Sequence, residues 1–125
     1  MKKLLFLLAL LPMLLLTQNT WVNVEFQFDG YADEVTWNLS NSYGVIESGG
    51  PYDNGQPNAF IVLDSLESGD YTFELLDAYG DGLSWPNDGY CLVSNACQDT
   101  LFFAQGNYGI GLIESLTIAP CAPPN

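Results

Sequence analysis

Apolar and polar residues alternate along much of the chain. In residues 21–28, WVNVEFQF, Val22, Val24, Phe26 and Phe28 fall on one face and Asn23, Glu25 and Gln27 on the other. That period of two predicts a half-buried strand. Val35, Trp37 and Leu39 repeat it in EVTWNLS, and Tyr71, Phe73 and Leu75 repeat it after the turn SLESGD. Residues 43–47 predict a short strand, and the unbroken apolar run 59–63, AFIVL, predicts one buried on both faces. Two more follow at 90–94 and 100–103, around the turn SNACQ. A last strand at 113–119 turns Leu116 and Ile118 inward and Ser115 and Thr117 outward.

Turn residues separate these runs. The loop SGGPYDNGQPN is rich in glycine and proline, and its Asp53 and Asn54 read as an ordinary turn. Seven to eight short strands with no helical period among them predict an all-β fold, an antiparallel β-sandwich of jelly-roll type, with an open barrel as the competing architecture. The prolines of the tail, residues 120–125, keep it out of any central strand.

The first residues belong to a different pattern. Lys2 and Lys3 precede an apolar run from 4 to 16 and a polar exit, TQNT. This is the layout of a secretory signal peptide, assigned to residues 1–18, and the run is short for a membrane span. Cleavage there leaves about 105 residues, one module over 19–119 plus the tail. An uncleaved membrane anchor is the alternative.

Removing the leader changes the charge balance. Lys2 and Lys3 are the only basic residues, there is no histidine, and all 15 acidic residues lie beyond them. No internal ion pair offsets these carboxylates, so solvent, raised pKa values or bound cations must. The charge argues against nucleic acid and against an anionic membrane as partners. A uniformly acidic, solubilising surface is the competing explanation. The cysteines are Cys91, Cys97 and Cys121; export permits a disulfide, and closeness in sequence favours Cys91 with Cys97.

The acidic residues gather in two loops. In DAYGDG, Asp77 and Asp81 are four apart with Gly82 next, and Asp88 lies eleven beyond Asp77. Oxygen ligands at the first, fifth and twelfth positions of a loop that turns on glycine suit calcium. Tyr79 occupies the third position, where an acid or amide is expected, and the flanks are strands, so the loop is not an EF-hand. The second group, DGYADE, supplies Asp29, Asp33 and Glu34. Calcium takes six to eight oxygens, more than one of these loops holds, and a sandwich that gathers its loops at one end would let both contribute.

The run YTFELLDAYGDG, with the downstream DGY and the upstream EVTW, resembles a secreted bacterial β-sandwich module. Such modules recur as appendages of large surface proteins and proteases, chiefly in Bacteroidetes-like organisms. The resemblance spans most of residues 21–119, and the architecture is similar to calcium-dependent jelly-roll domains of CUB and carbohydrate-binding types. It implies a calcium site drawing on Asp77 and Asp81, with Asp29 and Glu34 as further candidates.

Trp85 stands at the tip of the acidic loop. An exposed aromatic beside a metal offers a platform for a sugar ring, and Tyr79, Tyr31 and Tyr52 would extend it; the competing reading folds Trp85 back over the core edge. Without histidine, serine and cysteine lack their usual base and zinc an imidazole ligand, so a catalytic role is not expected. Two functions remain. One is a calcium-binding module that recognises polysaccharide or a cell-surface protein. The other is a self-assembling subunit of an extracellular fibre or surface layer, using the N-terminal strand for strand addition and Cys121 for an interchain bond.

Overall fold

Eight strands form, as the computed structural model shows: β1 (Asn19–Gln27), β2 (Val35–Asn41), β3 (Gly44–Gly49), β4 (Asn58–Glu67), β5 (Gly69–Asp77), β6 (Tyr90–Asn95), β7 (Thr100–Gln105) and β8 (Gly111–Ile118). The structure describes residues 19–121; the leader assigned to residues 1–18 and the end of the tail, 122–125, lie outside the described residues. The strands make two antiparallel sheets, β4-β1-β6-β7 and β3-β2-β5-β8. The fold is therefore an antiparallel β-sandwich. Only β2–β3 and β6–β7 are hairpins between neighbours in one sheet, and the other connections cross between the sheets.

The alternation read from the sequence faces the core. Val22, Val24 and Phe26 of β1, Val35, Trp37 and Leu39 of β2, and Tyr71, Phe73 and Leu75 of β5 are all buried. Phe102 of β7 joins the two layers, its ring centroid 4.9 Å from that of Phe73, which stacks in turn on Trp37 at 5.7 Å. Each such side chain contributes about 1.5–3 kcal/mol by leaving water.

Three expectations are corrected. The run 59–63 is not buried on both faces: Phe60 and Val62 are 61% and 54% exposed while Leu63 is buried. The reason is the two-layer architecture: each sheet packs one face on the other, and alternation turns Phe60 and Val62 to the opposite face, which no described residue covers. Tyr52 does not join an exposed platform; it packs against Phe26 and Phe28 and its hydroxyl accepts a hydrogen bond from Trp37 Nε1 at 2.8 Å.

The expected Cys91–Cys97 bond does not form. Cys91 shares the core face of β6 with Val93, fully buried and free, whereas Cys97 sits in the exposed turn after that strand. Cys97 bonds instead to Cys121, with Cα atoms 5.5 Å apart, tying the β6–β7 turn to the chain that leaves β8. Sequence separation was a poor guide because strand alternation points Cys91 inward.

Candidate functional site

The register of β2 against β5 assembles the site. Val35 pairs with Asp77 at the end of that ladder, so Glu34, one residue earlier, lies beside Asp77 as both strands leave the sheet. Backbone bonds fasten the two loops: Ala78 N–H donates to Glu34 O at 2.8 Å and Gly30 N–H to Trp85 O at 2.8 Å. Asp29 completes the tie, accepting from the Tyr31 amide through Oδ1 at 2.9 Å and from the Trp85 amide through Oδ2 at 3.2 Å.

Within this frame the loop after β5 curls around its own first carboxylate. Asp77 Oδ2 accepts the amides of Gly80 at 2.6 Å and Asp81 at 3.0 Å. The turn needs a left-handed backbone at Gly80 (φ +97°) and Gly82 (φ +66°). Gly82 is also pressed against the next loop, where a Cβ would come within 2.5 Å of Tyr108 N.

Glu34, Asp77 and Asp81 each place a carboxylate oxygen within 4.8 Å of the others. Three carboxylate oxygens this close form a group that could share one cation. Asp77 is only 3% exposed, and its Oδ1, like Asp81 Oδ1, is buried with no hydrogen-bond partner. An unpaired buried carboxylate oxygen is costly unless a cation or a proton satisfies it. The pKa of Asp77 is raised, by burial first and with Asp81 adding to it, against the lowering by its backbone amide donors. Glu34 is raised by burial and then by Asp77, Asp81, Asp29 and Asp33.

The other predicted ligands stand apart from this trio. Asp29 spends its oxygens on the two amides named above. Asp33 is exposed and enters through its field on Glu34. Asp88 is not one of the trio; its carboxylate lies over Gly106, where a Cβ would come within 3.2 Å of it. After Trp85 the chain folds back, the Gly89 amide donating to Leu83 O at 2.7 Å, before β6 begins.

An open cleft of about 370 Å³ borders the carboxylates, lined by Tyr31, Glu34, Tyr79, Asp81 and Trp85. Trp85 is 57% exposed and Tyr79 78%, so Trp85 does not fold back over the core. Its ring lies 5.8 Å from that of Tyr31. Tyr108 went unremarked in the sequence. Its hydroxyl is buried without a partner, and burial, then Asp77, Cys91, Asp29 and Asp81, push its pKa above the usual phenol range. The glycines around it, Gly106 and Gly109, mark a turn in the sequence, and both take a positive φ.

Comparison of the chain with protein-family models, with curated proteins and with solved structures yields no match. Among the described residues no helix is long and apolar enough to cross a membrane. The Cys97–Cys121 bond is compatible with an extracellular protein.

Proposed function

We propose that the chain is a non-catalytic, secreted, calcium-binding β-sandwich module for recognition of polysaccharide or protein at an extracellular or cell surface. The observation that carries this reading is the meeting of Glu34, Asp77 and Asp81, with two buried carboxylate oxygens left unpaired, beside a cleft walled by exposed aromatics. Calcium satisfies those oxygens and pins the two loops, and the loops present Tyr31, Tyr79 and Trp85 to a ligand. Asp29 supports the same arrangement without metal by tying Tyr31 to Trp85.

The fibre-subunit reading draws less support. It calls for a first strand that detaches, whereas β1 is hydrogen-bonded along both edges, to β4 and to β6, and buries Val22, Val24 and Phe26. A panel of polysaccharides and surface proteins, probed in calcium and again in chelator, tests the recognition role. Binding that needs calcium and is lost with Trp85→Ala is the expected result; binding indifferent to both would refute it.

A further inference from the structure

The cleft beside the carboxylates has features that a metal site does not require. Three aromatic side chains, Tyr31, Tyr79 and Trp85, line it together with Glu34 and Asp81. All three side chains are exposed. Tyr31 and Trp85 are held as a pair, tilted by 32°, by the Asp29 carboxylate that accepts both of their amides.

The field in the cleft has one sign. Glu34, Asp77 and Asp81 meet there, Asp29 bonds the Trp85 amide at its border, and Asp33 is near enough to act on Glu34. A single calcium ion neutralises two charges and leaves the five carboxylates net negative. No lysine, arginine or histidine occurs in residues 19–121 to reverse this. Acidic sugars, sulfates and phosphates are therefore repelled, and a cation is drawn in.

The aromatic lining narrows the choice of cation. Three of the five side chains that line the cleft are aromatic, Tyr31, Tyr79 and Trp85. A primary ammonium is a compact, strongly hydrated charge that gains little from such walls. A quaternary ammonium packs its methyl groups on aromatic faces while the ring quadrupoles and the surrounding charge stabilise it. The volume, at the low end of small-molecule sites, suits a compact headgroup.

We propose that this cleft binds an organic quaternary ammonium group, held on the faces of Tyr31, Tyr79 and Trp85 within the negative field of the two acidic loops. The inference rests on the recognition reading above and names the ligand class of that same site.

Calorimetric titration of the full chain in calcium with choline, beside its uncharged isostere 3,3-dimethyl-1-butanol, tests it. Saturable choline binding is expected, with the isostere at least about tenfold weaker and Trp85→Ala lowering choline affinity about fivefold or more. Equal binding of the isostere, or binding of a neutral hexasaccharide in place of choline, overturns the proposal. A calcium-dependent rise in melting temperature with no choline binding overturns the ligand class and leaves the calcium reading standing. Absence of both overturns both.

Discussion

Asp77 Oδ2 accepts the backbone N–H of Asp81 at 3.0 Å, while the Oδ1 atoms of both residues lie buried and unpaired. One carboxylate oxygen thus builds the turn, and its twin is left for a cation or a proton to satisfy. The loop organises itself around Asp77, so substitutions there separate the two roles.

Asp77→Asn keeps an oxygen that accepts the Gly80 and Asp81 amides but removes the charge. In chelator it should melt at or above the wild type, because a buried, unpaired charge is gone. Asp77→Ala loses the acceptor as well and should be destabilised by about 1–3 kcal/mol in the same buffer. Denaturant unfolding of both variants checks this, and equal losses would contradict the division of labour between the two oxygens.

In the calcium-free protein the pKa values of Asp77 and Glu34 are raised, burial being the largest cause in each. The folded state then holds protons to higher pH than the unfolded chain. The stability these groups contribute is full below the ordinary carboxylate value, about 4, and is lost as pH rises through their raised values. Melting temperature in chelator should therefore rise as pH falls from neutral. Relief of general acidic repulsion acts in the same direction, so the informative quantity is the difference from an Asp77→Asn, Glu34→Gln double variant, whose pH slope should be shallower. With calcium present the sign reverses, because protons compete with the ion.

Gly82→Ala meets two obstacles at once, a positive φ and backbone atoms of Tyr108 and Gly106 within 2.7 Å of the new Cβ. A loss of at least about 1–3 kcal/mol is expected, together with weakened calcium binding, since the shift passes directly to Asp81. Chemical denaturation with and without calcium measures both effects.

Replacing Cys97 and Cys121 by serine opens a loop of 24 residues in sequence. Chain entropy sets the cost at about 3.5 kcal/mol, much the same with calcium or chelator because the bond ties the β6–β7 turn and not the acidic loops. The same experiment on Cys91→Ser should also destabilise, through a hydroxyl placed in the apolar core, but leave the disulfide intact by mass spectrometry.

Strand alternation carried the fold. β1, β2 and β5 were legible because their inward residues are apolar and their outward ones largely polar, whereas β4 misled because its outward residues Phe60 and Val62 are apolar too, and an apolar run does not reveal which face is covered. Two of the three clustered carboxylates were equally plain, since Asp77 and Asp81 belong to one loop and the glycines announce its turn. Glu34 entered as a neighbour in a separate cluster; only the Val35–Asp77 register, a pairing 42 residues apart, sets it beside them rather than Asp88. Cysteine pairing and Tyr108 depended in the same way on contacts between distant segments.

The most direct measurement is thermal unfolding of the protein across a range of free calcium, with chelator as the zero, beside the Asp77→Asn, Asp81→Asn double variant. Ligand that binds only the native state stabilises it by about 2.7 kcal/mol at one hundred times its dissociation constant. The melting temperature is expected to climb with calcium in the wild type and stay flat in the variant. A wild type as indifferent to calcium as the variant would contradict the calcium reading, leaving the two loops as turns on an acidic sandwich.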